Sequence, residues 1–270
     1  MRKPNPRNRR SDDPVVKESV MKRSQRKEFD ASVPPKPFHI QPKTPNQQLL
    51  IDAIEAFPIT VAMGPAGTGK TYISTMTVAR LYLKDKYERI ILSRANVPTG
   101  RTLGHFPGTV QEKMAPWLAP LISVLEKAFG KTHYDNLVSK GKIEIQPLET
   151  IRGRSFEDSL VLIDEAQNLD FEEIKAITTR LGEGSKLILM GDPYQSDVDS
   201  GRALEKFASM CYNSSIQVPV VEFTIDDIVR SDIVAQLVKM FMLNDVQSKT
   251  ITKRKSSETI SRPKEPALLA

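Results

Sequence analysis

Cysteine occurs once in this chain, at Cys211, so no disulfide can form within it, and such sparing use fits a reducing compartment. The histidines, His39, His105 and His133, are scattered without zinc-ligand spacing, so no structural metal is expected. Long apolar runs are missing too, and nothing approaches the roughly 18 residues that a membrane-spanning helix needs. The basic start MRKPNPRNRR leads into SDDPVVKE rather than into an apolar segment. No secretory signal is read there, and the cytoplasm of a bacterium or of a phage-infected host is the expected location. No internal repeat is present. A length of 270 residues allows one α/β domain of about 200 residues with tails, and is too short for two such domains.

The net charge of +6 is unevenly placed. Residues 1–36 hold eleven basic side chains against five acidic ones, and residues 247–270 hold six against two, which leaves the middle acidic. Any electrostatic attraction to nucleic acid would therefore come from the tails rather than from a domain face, with solubility as the competing reading. Residues 1–37 are polar, proline-bearing and aperiodic, and residues 247–270 are similar, so both are expected to be disordered. A single domain is expected over residues 38–246.

Within that domain short apolar runs alternate with amphipathic segments, the pattern of a parallel sheet covered by helices. Strands are expected at Ile59–Met63, Ile90–Ser93, Ile143–Ile145, Leu160–Ile163 and Leu187–Met190. Behind the first, Ile73, Met76, Ala79 and Leu83 recur at helical spacing. One amphipathic helix is read over Gln111–Phe129, with Met114, Trp117, Leu118, Leu121, Ile122, Leu125 and Phe129 on one face. Trp117 could stack a nucleic-acid base, but its place in that stripe favours core packing.

Gly64-Pro65-Ala66-Gly67-Thr68-Gly69-Lys70-Thr71 fits the phosphate-binding loop GxxxxGK[ST] at every fixed position, between a strand and a helix. Glycines let such a loop turn its amides toward phosphate oxygens, and the helix N-terminus adds a positive dipole end. Lys70 is expected to reach the β- and γ-phosphates of ATP, and the Thr71 hydroxyl to ligate Mg²⁺. Leu160–Ile163 runs into Asp164 and Glu165, where Asp164 would hold Mg²⁺ and Glu165 would orient and polarise the attacking water. Paired acids at a strand end can also be a solvated turn; the upstream loop gives them their functional reading. Leu187–Met190 runs into Gly191-Asp192-Pro193-Tyr194-Gln195, so Asp192 and Gln195 either face the γ-phosphate or form a plain Asp-Pro turn. Arg94, Arg101, Arg152 and Arg154 follow strands closely enough to reach phosphates of ATP or RNA, or are solvated loop residues.

The series GPAGTGKT, SRANVPTGRTLGHFPG at 93–108, IRGRSF at 151–156, LIDEAQN at 162–168, MGDPYQSD at 190–197 and DDIVRSDIV at 226–234 resembles the PhoH-like proteins over about residues 44–243. The resemblance implies an ATPase whose core is similar to the first motor domain of superfamily-one helicases, a doubly wound RecA-like fold with RNA or single-stranded nucleic acid as partner. It further implies Gln47 as the contact to adenine, Gln195 as the γ-phosphate sensor and Arg230 as a γ-phosphate contact; by spacing alone, Arg230 is a surface arginine. It raises Arg152 and Arg154 as RNA contacts or as arginines supplied in trans. With no second motor domain expected after residue 243, processive unwinding by a monomer is not expected, and a ring, best read as a hexamer, is. The chain resembles a minimal member of the size found in bacterial viruses. Two further readings stay open: a P-loop kinase, and a nucleotide-switched binding module with negligible turnover.

Overall fold

The computed structural model describes residue 35 and residues 37–84, 86–95, 110–151, 153–195, 202–231 and 233–241. Among these residues six parallel strands form one sheet: β1 (Ile59–Met63), β2 (Arg89–Arg94), β3 (Ile143–Ile145), β4 (Ser159–Asp164), β5 (Lys186–Gly191) and β6 (Val220–Glu222), in the spatial order β3-β2-β4-β5-β1-β6. All five strands expected from the apolar runs are present; β2, β4 and β5 each extend one residue further at either end. β6 was not expected; three residues behind Pro219 carry too little apolar pattern to stand out. Among the described residues no helix is long and apolar enough to cross a membrane.

The inner strands are buried on both faces, so their residues divide by parity between two cores. Ala62, Ile90, Leu92, Leu160, Leu162, Ile188 and Met190 point to one face. There they meet α1 (Pro45–Ala56), α2 (Lys70–Tyr82), α4 (Ala119–Phe129) and α5 (Lys131–Ser139). Val61, Met63, Ile91, Val161, Ile163, Leu187 and Leu189 point to the other, covered by α6 (Leu148–Ile151), α7 (Phe171–Thr178) and α8 (Ala203–Tyr212). Helices on both faces of an all-parallel sheet make this the expected doubly wound α/β fold.

The expected single helix over Gln111–Phe129 is instead two: α3 (Val110–Met114) and α4, joined by the turn Ala115–Leu118. Pro116 lacks an amide proton, and Pro120 stands in the first turn of α4, where a proline is accommodated. The break shifts the helical phase. Leu118 turns inward and is fully buried, while Trp117 turns out and is 48% exposed, so the expected core packing of Trp117 is corrected. Removing Leu118 should accordingly cost about 2–5 kcal/mol of folding stability. Trp117→Ala should cost within about 0.5 kcal/mol, as an exposed side chain does. Urea midpoints of Leu118→Ala and Trp117→Ala against the parent chain check both; equal losses would return Trp117 to the core.

Candidate active site

In a parallel sheet the strand C-termini share one rim. The glycine-rich loop leaves β1 there, Asp164 ends β4, Asp192 follows β5 and Arg94 ends β2. Loop carbonyls are drawn into the protein one after another. Lys70 Nζ donates to the Gly64 and Pro65 carbonyls at 2.6 and 2.8 Å, and the Thr68 hydroxyl adds a bond to Pro65 O at 2.9 Å. Val229 N–H donates to Gly67 O at 3.0 Å, the Gln47 amide to Thr68 O at 2.9 Å, and Ile73 N–H to Gly69 O at 2.9 Å. With those acceptors engaged, the first amides of α2, which have no intrahelical acceptor, are the donors presented at the loop's mouth, at the positive end of the helix dipole. Two glycines are obligatory. Gly64 has φ +140°, and a methyl there would lie 2.7 Å from Phe223 Cβ and overlap the Phe223 carbonyl. Gly69 has φ +88°, and a methyl would lie 2.8 Å from the Gln47 amide nitrogen.

The loop meets the acids across α2. The Thr71 hydroxyl donates to Asp164 Oδ1 at 3.2 Å, and Ala66 N–H donates to Asp192 Oδ2 at 3.1 Å. Lys70 is buried, and desolvation lowers its pKa against the opposing pull of Asp192, Asp164 and Glu165. Burial likewise raises the pKa of Asp164, reinforced by Glu165 and opposed by Arg94. Glu165 follows in the left-handed region at φ 54°, ψ 38°, a conformation costing about 1–2 kcal/mol for a residue with a Cβ. Its carboxylate is held on both oxygens: Arg94 Nη2 donates to Oε1 at 3.0 Å and Gln167 Nε2 to Oε2 at 2.6 Å. Gln167 Oε1 in turn accepts from Asp192 N–H at 2.9 Å.

Ala66, Lys70, Thr71, Asp164, Glu165 and Asp192 border a cleft of about 910 Å³. Of the residues singled out in the sequence, Gln47, Ala66, Gly67, Gly69, Lys70, Thr71, Asp164, Glu165, Asp192, Gln195 and Arg230 line it together, whereas Gly64, Pro65 and Arg94 do not. Thr68 is fully buried beneath the loop. Gln47 is also nearly inaccessible, with its carbonyl oxygen accepting from Lys43 N–H at 2.8 Å while its amide holds Thr68 O. Arg230 lies against Gly67, its Cγ 3.1 Å from where a Gly67 methyl would be. Arg154 stands apart, paired with Glu144 of β3 at 3.1 Å. Arg101, Arg152, most of the SRANVPTGRTLGHFPG segment and nearly all of both tails lie outside the described residues. Sequence reasoning missed Tyr72 and Lys127, which line the cleft with the Lys127 ammonium 5.2 Å from the Tyr72 ring centre. Helical phase held the signal for Tyr72: with Ile73 and Met76 inward, the residue after Thr71 must face out.

Asp227 was missed as well. Its Oδ2 accepts from Asn46 Nδ2 and from Thr224 N–H, each at 2.8 Å, and so ties the turn preceding Arg230 to the start of α1. Burial pushes its pKa up, but the hydrogen bonds from Thr224, Asn46 and Thr44 outweigh that and leave it lowered. A lowered native pKa means stability that is complete above the unfolded value of about 3.9 and lost as pH falls through the native one. Asp227→Asn should therefore cost about 2 kcal/mol at neutral pH, the scale of hydrogen bonds to a charged group. The gap between the two urea midpoints should narrow on acidification below pH about 4; a gap independent of pH would discard the charged-acceptor account.

The model of the PhoH-like protein family matches residues 39–242. A PhoH-like protein of Mycobacterium bovis is 38% identical over 203 residues, covering 75% of this chain and 58% of that relative. One from Bacillus subtilis is 36% identical over 206 residues, covering 75% and 64%, and Escherichia coli protein PhoH is 36% identical over 189 residues, covering 67% and 52%. The chain thus spans about three fifths of the length of the curated relatives it matches. Among solved structures, the large terminase of a thermophilic bacteriophage aligns with 71% of this chain and 48% of its own at 13% identity and TM-score 0.42. The Pif1 helicase of Candida albicans aligns with 69% and 40% at 16% identity and TM-score 0.35. With its phosphate-loop fold, its strand-end acids and a family match across nearly the whole described domain, this chain belongs to the PhoH-like protein family.

Proposed function

We propose that residues 38–246 form a Mg²⁺-dependent ATPase with a single RecA-like core, working in the cytoplasm on RNA or another single-stranded nucleic acid. The observation that carries this reading is the Thr71 hydroxyl beside the Asp164 carboxylate, 3.2 Å apart, on the rim where Lys70 is buried among acids. A hydroxyl and a carboxylate are hard oxygen donors suited to Mg²⁺, which supplies charge neutralisation on the phosphates when bound. Thr71 and Asp164 would hold that ion, Asp164 through water. Lys70 exchanges its loop carbonyls for phosphate oxygens, and the amides of the glycine-rich loop with those opening α2 cradle the rest. Glu165 orients and polarises the attacking water, Gln195 senses the γ-phosphate from the rim, and Arg230 contacts it. Gln47 fastens the loop and borders the adenine, with Tyr72 as a second surface for the base.

A nucleotide-switched module with negligible turnover is the second reading, favoured by the engagement of both Glu165 oxygens. Release of phosphate without an acceptor separates the ATPase from the switch and from a P-loop kinase. Lys70→Ala should abolish nucleotide binding, whereas Glu165→Gln should keep binding and lose turnover by about 10²-fold or more, the scale of general-base catalysis. Fluorescent-nucleotide titration and phosphate release measure the two; normal turnover in Glu165→Gln sinks the assignment.

The active species is proposed to be a closed ring, with six subunits as the working number. Arg230 already borders its own cleft, which supports a role in cis and leaves Arg152 and Arg154 as residues a neighbour would present. An arginine supplied in trans contributes about 10³ to 10⁵ in rate. Mixing Lys70→Ala chains with Arg154→Ala or Arg152→Ala chains should then restore phosphate release, because mixed rings contain interfaces with both groups intact. An active monomer in sedimentation, or no complementation by either pair, rejects the trans arrangement.

A further inference from the structure

Arg94 is the last residue of β2 and stands in register opposite Asp164, the last residue of β4. From there its guanidinium reaches in two directions. Nη2 donates to Glu165 Oε1 at 3.0 Å, and Nη1 donates to the backbone carbonyl of Trp117 at 2.7 Å. One rigid, planar group thus joins the carboxylate proposed to polarise water to the turn Ala115–Leu118. That turn exposes Trp117, the only tryptophan of the chain, while Met114 and Leu118 on either side are buried. Among the described residues of α3, the turn and α4, Trp117 is the one large apolar side chain exposed to this degree. A lone indole face offers little to a protein partner, which needs a contiguous apolar patch, but it suffices for a nucleobase, since every base has a π-face to stack.

We propose that Trp117 is a stacking contact for single-stranded nucleic acid and that Arg94 transmits its occupancy to Glu165, releasing the carboxylate for catalysis. The proposal rests on the reading of Glu165 as the water-polarising group. In the free protein Glu165 has a donor on each oxygen, and the guanidinium on Oε1 competes with the water that oxygen would polarise. A hydrogen bond of 2.7 Å tolerates only about half an ångström of stretch before it weakens, so a base drawing the turn outward must take Arg94 with it or break the link. Displacement of Arg94 frees Oε1, while Gln167 keeps the carboxylate in place. Basal hydrolysis is then restrained and nucleic acid stimulates it, with no contact between nucleic acid and the nucleotide.

The test uses the full chain, whose intrinsic tryptophan fluorescence reports Trp117 alone, with single-stranded oligouridine as probe and phosphate release as readout. Oligouridine should quench the fluorescence saturably and stimulate hydrolysis. Trp117→Ala should weaken oligouridine binding by about tenfold and lose stimulation, the scale of one base–aromatic stack, and Trp117→Phe should restore both. Arg94→Gln should retain the quench with unchanged oligouridine affinity, hydrolyse ATP several-fold faster without oligouridine, and no longer respond to it. Arg94→Lys, whose single ammonium cannot reproduce the planar fork, should behave the same way and covers a glutamine variant that fails to fold. Absence of quench in the parent chain, an undiminished response in either Arg94 variant, or slower basal hydrolysis in both overturns the proposal. Turnover by Glu165→Gln at the parent rate would instead indict the role given to Glu165, and a quench that persists in that variant shows the two failures apart.

Discussion

The carbonyls of the glycine-rich loop have to be satisfied by the protein, because only then is the opposite, amide-bearing edge of the loop left to face the cleft. A backbone that turns this tightly cannot pair its own donors and acceptors as a helix or a sheet does, and an orphaned buried carbonyl is costly. Donors arrive from every side. The Lys70 ammonium and the Thr68 hydroxyl come from within the loop, the Gln47 amide from α1, and the Val229 amide from the segment after β6. The position of β1 between β5 and β6 brings those segments within reach, and it explains why Gly64 must be bare: Phe223 lies directly against it. The six-strand order therefore serves the loop.

Charge follows the same logic. Lys70 loses solvation on burial, which lowers its pKa, and the three carboxylates Asp192, Asp164 and Glu165 offset part of that loss. Asp164 is held near Arg94 across the β2–β4 ladder, and its neighbour Glu165 is restrained on both oxygens. Lys70, Thr71, Asp164 and Glu165 are thus each engaged by an internal partner.

The turn between α3 and α4 shows how local chemistry overrides a global pattern. The apolar spacing of Gln111–Phe129 is consistent with one helix, and most of its stripe is buried as that pattern requires. Two prolines four residues apart interrupt the ladder, and the extra turn rotates one member, Trp117, out of the stripe. The same break places the Trp117 carbonyl where Arg94 can reach it.

By itself the sequence determined the sheet class, five of the six strands described, the helix behind the loop, and many of the residues that meet at the cleft, though not Tyr72 or Lys127. It could do so because period-two and period-3.6 apolar patterns and the spacing of the phosphate loop are local properties, readable within a dozen residues. Only tertiary structure decided the rest. Gln47 and Thr68, Asn46 and Asp227, Gly64 and Phe223, and Arg94 with both Glu165 and Trp117 are partners separated by 21 to 181 residues. The placement of Arg154 at the β3 edge and of Arg230 against Gly67 depends on the crossover order of the strands. A loop arginine carries no mark of whether it will face phosphate, carboxylate or water, because that is settled by which strand ends lie beside it after the sheet has formed.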